Sequence, residues 1–163
     1  MALDWTTAAW FLPFVLPITL WVAWSDLATM KIPNKAVLAL LVVFVVIGLM
    51  ALPFQDYLWR YAHFGVVLVI GFVLSSVGAM GAGDAKYAAA MAPFIAIPDL
   101  QLFFLLLGGV TIVAFLVHRG MRRTQGIRDR FPTWESWTRR EFPMGFALAP
   151  ALFFYLLLGL FAA

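Results

Sequence analysis

Two aspartates are the residues of this chain with the best claim to chemistry. Asp26 stands in Trp24-Ser25-Asp26-Leu27-Ala28-Thr29-Met30-Lys31-Ile32-Pro33-Asn34, and Asp84 in Gly81-Ala82-Gly83-Asp84-Ala85-Lys86. Two carboxylates brought together in a partly dry site cannot both ionise easily, so one keeps its proton. The ionised partner can then take a proton from water while the protonated one polarises a peptide carbonyl. That is peptide hydrolysis without metal, cysteine or serine. Gly81 and Gly83 carry no side chains, which allows another backbone or an extended peptide to approach Asp84 and permits unusual φ values. The order of glycines, lysine and hydroxyl residue is wrong for a phosphate-binding loop.

Each aspartate also has an ordinary reading. Asp84 can be the N-cap of an Ala-rich helix. Asp26 can be a solvated turn residue paired with Lys31. Asn34, after Pro33, reads as the N-cap of the next helix. The other six acids have ordinary explanations too. Asp4, Asp56 and Asp99 are expected in solvated loops or the tail, and Asp129, Glu135 and Glu141 are expected to pair with neighbouring arginines.

Other chemistries fit less well. The chain has no cysteine, which removes disulfides, thiolate zinc sites, iron–sulfur clusters and cysteine nucleophiles. His63 and His118 are expected on opposite sides of a membrane and show no His-x-x-x-His spacing, so no metal site and no metalloprotease is expected. Ser75 and Ser76 have no base nearby in sequence and read as helix-packing residues.

The elements that must position the two aspartates are membrane helices. Of 163 residues, 64% are hydrophobic and 12% charged, too few charges to cover the surface of a soluble domain of this size. A net charge of +3 gives no indication of nucleic-acid binding. Spanning runs of about 17–25 apolar residues fall at 8–24, 36–54, 64–80, 100–117 and 142–163. The Ala-rich stretch 85–97, containing Pro93, is too short to cross lipid alone and reads as a fourth, protein-surrounded helix. The first run lacks a basic flank and so does not read as a secretory signal. Pro13 and Pro17 make a kink expected there.

The expected fold class is therefore an all-α integral membrane protein. It is a single domain over 1–163, a bundle of about six transmembrane helices. With six helices, loops one, three and five share a side and hold all Lys and Arg residues except Arg60. The basic side is cytoplasmic, so both termini face out and both aspartates lie at the cytoplasmic face. The fifth loop, 118–141, interleaves seven arginines with Phe131, Trp134 and Trp137. It sets topology and suits an amphipathic piece near anionic lipid headgroups.

Taken together, the two motifs, their separation of 58 positions and the six-helix topology resemble the type IV prepilin peptidases, polytopic aspartic proteases with a Gly-x-Gly-Asp signature. Phe142-Pro143-Met144-Gly145-Phe146-Ala147-Leu148-Ala149-Pro150 is similar to the family's Pro-containing start of a late helix. The resemblance covers nearly the whole chain. It implies that Asp26 and Asp84 are the catalytic pair, with Gly81, Gly83 and Lys86 supporting, and that no cofactor is needed. It implies a prepilin-like or pseudopilin precursor as partner, its basic leader in the cytoplasm and its apolar stem in the bacterial inner membrane. The larger members carry a cysteine-rich zinc-binding segment and methylate the new N-terminus. This chain has neither the cysteines nor room for that segment before Asp26, so methyl transfer is not expected. It is similar instead to the short peptidase-only forms of tight-adherence (Flp) pilus systems. A reading from another class is a small ion- or proton-coupled transporter using Asp26 and Asp84 as a relay, although no internal repeat supports it. A third is an assembly factor in which the aspartates only cap helices.

Overall fold

The computed structural model describes residues 1–161. Residues 162 and 163, the end of the expected last span, lie outside the described residues. Seven α-helices follow one another: α1 (Trp5–Thr29), α2 (Asn34–Ala51), α3 (Phe54–Ser76), α4 (Ala82–Met91), α5 (Leu100–Arg123), α6 (Gln125–Arg130) and α7 (Gly145–Phe161). Short 3-10 turns occur at Ala92–Phe94, Ile97–Asp99 and Glu135–Trp137. The protein is an all-helical membrane protein. The helices at Trp5–Thr29, Asn34–Ala51, Phe54–Ser76 and Ile97–Arg123 are long and apolar enough to cross a bilayer, and Gly145–Phe161 is a shorter apolar helix. Phe72, Val69, Phe104 and Leu105 stand exposed on the outer faces of α3 and α5. Such a belt suits hydrocarbon rather than water.

The core is built around α1 and α7, which pack against each other more extensively than any other pair of helices. Phe11, Val15 and Val22 of α1 are fully buried with Leu152, Tyr155 and Leu156 of α7. Gly159 lets the two helices close together, since a Cβ there would lie 2.8 Å from Leu3 and 2.9 Å from Ala8. On the other flank α4 packs against α3, α2 and α7. Small residues permit this approach as well: a Cβ on Gly71 of α3 would meet the Ala85 Cβ at 3.0 Å. Ten residues of helix span about 15 Å, roughly half the hydrocarbon thickness. As expected for a protein-surrounded segment, Tyr87, Ala89 and Ala90 are fully buried.

Several boundaries differ from the sequence reading, for one shared reason. Apolar windows end at charged residues, whereas a helix continues wherever the charge finds a partner. The α3 helix starts at Phe54, not at 64, and includes Arg60 and His63. Arg60 is buried and donates to the Pro93 carbonyl at 2.9 Å. The α5 helix carries through His118 to Arg123. The α1 helix runs through both prolines and past Asp26 to Thr29.

The aromatic residues of 118–141 turn inward. Trp134 and Trp137 are buried with Leu27 in a second core. Trp24 of α1 meets Phe131 and Trp134 edge-on at 5.5 and 5.0 Å. This clasp pins the segment to α1 next to Asp26. Among the described residues Glu135 is paired, with Arg139 at 3.5 Å. Asp129 and Glu141 have no such partner there.

Candidate active site

Asp26 lies in the last turn of α1, not after the helix. The helix ends because Met30 takes a left-handed conformation, with φ 53° and ψ 33°, and returns its N–H to the Asp26 carbonyl. A non-glycine residue in that region is held there at a cost of order 1 kcal/mol, and such positions cluster at functional sites. The turn sends Lys31 outward and buries Ile32. Ser25 stabilises it by donating its hydroxyl to the Lys31 carbonyl at 3.0 Å. Pro33 then precedes α2. The expected cap by Asn34 is absent: Asn34 is the first helical residue, and its side-chain oxygen instead accepts from Lys86 Nζ at 3.5 Å. Lys86 therefore ties the second motif to the first rather than touching either carboxylate.

Asp84 is not the N-cap of α4 either. The cap is Gly81, and Asp84 stands three residues further on with no capping hydrogen bond. The two glycines differ in use. A Cβ at 81 would lie 2.6 Å from Asp84 Oδ2, whereas one at 83 would meet Ile32 at an ordinary 3.6 Å. Neither needs a left-handed backbone; among the described glycines only Gly78 does. The close approach is thus steric and falls on Gly81, where a side chain would have to displace the Asp84 carboxyl.

Both aspartates line one open cleft of about 680 Å³. Lys31, Asn34, Gly81, Gly83 and Lys86 also line it, as do Arg139, Glu141 and Pro143 from the segment leading into α7. Asp26 is 4% exposed. Its Oδ2 accepts a 2.7 Å hydrogen bond from the Gly145 N–H at the start of α7. Asp84 is half-buried, and burial together with the Asp26 charge pushes its carboxyl up to about 6. The two groups differ in their partners: Asp26 is engaged by a backbone donor, and Asp84 has no such hydrogen bond among the described residues. Two carboxyl groups facing one cleft are an arrangement that can share a proton, as acid–base hydrolysis requires.

All five residues singled out in the sequence come together here. Gly145 was not among them. Its motif was visible in sequence, but the hydrogen bond spans 119 positions and leaves no local signal. The structure also rules out a pairing of Asp26 with Lys31 within 4 Å among the described residues. No cluster of three or more potential metal ligands occurs among the described residues.

The family model described as "Type IV leader peptidase family" matches residues 13–117, well over half of the chain, including both aspartates. No curated protein and no solved structure matches.

Proposed function

Since this chain belongs to the type IV leader peptidase family, we propose that it is a membrane aspartic endopeptidase in which Asp26 and Asp84 are the catalytic pair. The observation that carries this reading is their shared cleft at one end of the bundle. The ionised carboxylate removes a proton from water as the oxygen attacks the peptide carbon. The protonated carboxyl donates to the carbonyl oxygen, giving a gem-diol. Collapse breaks the C–N bond, with the first carboxyl protonating the leaving nitrogen and the second recovering its proton. No metal or cofactor takes part.

The substrate in this reading is a prepilin-like or pseudopilin precursor. Its basic leader lies in the cytoplasm and its apolar stem in the bacterial inner membrane, so the cut falls at the cytoplasmic face. The six-span, both-termini-out topology set by the basic residues supports that side. The chain is read as the short peptidase-only form of the tight-adherence pilus systems, without methyl transfer. Arg119, Arg122, Arg123 and Arg128 line a concavity of about 450 Å³ with Trp137, which suits anionic headgroups. The relay reading has less support. Between Asp26 and the far end, α1 buries Val22, Ile18, Val15 and Phe11, and its two buried hydroxyls, Thr19 and Thr7, are turned onto the Leu16 and Ala51 carbonyls.

The test is co-expression with a candidate precursor, read as a shortened product on a gel. Wild type should shorten it, and Asp26→Asn and Asp84→Asn should not while still inserting. Normal processing by both variants would defeat the assignment. Reporter fusions check the orientation: those in 118–141 should be cytoplasmic and those at the C-terminus external.

A further inference from the structure

The start of α7 lies outside the matched residues 13–117, yet it touches the candidate site directly. Gly145 is buried, and its N–H points at Asp26 Oδ2 from 2.7 Å. The first N–H groups of a helix have no partner within it, and the helix N-terminus carries partial positive charge. Here a carboxylate from another helix takes that place. A hydrogen bond of this kind favours the ionised form of the acceptor. Asp84 has no donor of this kind among the described residues. Its carboxyl faces the cleft beside Gly81.

The absence of a side chain at 145 matters as much as the donor. A Cβ there would lie 2.9 Å from Asp26 Oδ2 and 3.0 Å from both Cγ1 and Cδ1 of Ile32. Any other residue must push the carboxylate or Ile32 aside. Ile32 is buried and also backs Gly83, so one contact point joins α1, the α1–α2 turn, α4 and α7. Pro143 precedes it and its carbonyl accepts from the Phe146 N–H at 3.2 Å, which sets the direction in which α7 begins.

We infer that Gly145 is a positioning residue: its N–H and its missing side chain hold Asp26 as the ionised, water-activating member of the pair, which leaves Asp84 to carry the shared proton. This inference rests on the catalytic reading of the two aspartates and adds a division of labour to it. The other charged groups around Asp26 are Asp84 and Lys86 from α4, Lys31 from the α1–α2 turn, and Arg139 and Glu141 from the segment before α7. None of the three basic residues forms an ion pair with Asp26 among the described residues, and the Phe146 N–H, which also faces Asp26, is taken by the Pro143 carbonyl at 3.2 Å, so the Gly145 N–H is the donor to test.

The decisive experiment replaces the Met144–Gly145 amide by an ester in cell-free synthesis into nanodiscs, using glycolic acid at 145. This deletes the N–H and adds no atom. A hydrogen bond to a charged group shifts the acceptor's titration by about one to two pH units. The acid limb of the kcat/KM profile, which reports ionisation of the base, should move up by about one pH unit. At a pH below that limb kcat should fall about tenfold, with KM within about twofold. An ester variant with the wild-type profile overturns the inference.

A steric arm runs beside it. Gly145→Ala should lower kcat at least tenfold, and Gly145→Ala/Ile32→Ala, which removes the Ile32 contact but not the Asp26 contact, should stay low. Recovery in the double variant would mean that crowding of Ile32 is the whole effect, and would overturn the inference. Should Gly145→Ala fail to fold, the ester variant decides alone. Asp26→Asn in the same assay separates the two levels. If it still cleaves, the catalytic reading is wrong; if it is dead and the ester behaves as wild type, only the role of Gly145 is wrong.

Discussion

Asp26 and Asp99 are each 4% exposed and sit at different ends of α1–α7 packing, but they are served differently. Asp99 is saturated. Its two oxygens accept the Ala2 N–H at 2.7 Å, the Leu3 N–H at 3.0 Å and the Tyr155 hydroxyl at 2.9 Å. Tyr155 in turn accepts the Ala96 N–H at 3.1 Å. That carboxylate staples the N-terminus to α7 and to the turn before α5. Asp26 has Gly145 on Oδ2 and otherwise faces a cleft with a second carboxyl. The same residue type at the same burial therefore does two jobs. A fully bonded aspartate builds structure, and in the proposed reading the incompletely bonded one keeps capacity for a proton and a substrate.

The largest effect that would sharpen this contrast is on stability. Asp99→Ala strands two backbone N–H groups and a hydroxyl, and should cost about 2–4 kcal/mol, read as a loss of melting temperature in detergent. Asp26→Asn should lie within about 1 kcal/mol of wild type. Equal destabilisation by the two would break the comparison.

The next effect lies in the glycines before Asp84. Gly81→Ala places a Cβ against Asp84 Oδ2 and should lower cleavage at least tenfold. Gly83→Ala meets Ile32 at ordinary distance and should stay within about threefold. The reverse order would show that the close approach is made elsewhere.

A third effect concerns pH. Asp84 is pushed up to about 6 from an ordinary carboxylate value near 3.9. The native state therefore holds this proton more tightly than the unfolded chain does. Its contribution to stability is full below about pH 4 and is lost as pH rises through about 6. Asp84→Asn should remove that slope and melt a few degrees higher than wild type at pH 7. The proposed mechanism needs Asp84 protonated, so kcat/KM of the wild type should decline as pH rises above about 6. A flat melting profile between pH 4 and 7 would count against a crowded pair.

The smallest effect is Tyr155→Phe. It deletes one of the three donors to Asp99 and should cost about 1–2 kcal/mol with no change in the pH dependence of cleavage.

Much of this arrangement was legible in the sequence, because membrane proteins carry few charges and each must be explained. The two motifs single out Asp26, Asp84, Gly81, Gly83 and Lys86, and all five line one cleft. The short Ala-rich fourth helix was also recognised from its length and small residues. Long-range satisfaction of charges leaves no local signal. Asp99 read as a solvated loop residue because nothing local shows that residues 2 and 3 donate to it. Arg60 read as a loop base because its partner, the Pro93 carbonyl, is 33 positions away. Gly145 stood in a visible motif, but its use depends on where the last turn of α1 falls. Two capping assignments, Asn34 and Asp84, failed because each residue lies one or more positions inside its helix. The aromatic residues of 118–141 read as an interfacial surface, and Trp134 and Trp137 instead pack inward beside Leu27.

In the proposed reading Asp26 and Asp84 together cut a leader from a membrane-inserted precursor. The direct measurement uses purified protein in liposomes with a precursor carrying a basic leader, a glycine and an apolar stem, and reads the products by mass spectrometry. Wild type should make one cut, at the leader–stem junction. Asp26→Asn and Asp84→Asn should give at least a thousandfold less product at undiminished melting temperature. Cleavage by either variant at the wild-type rate would contradict it.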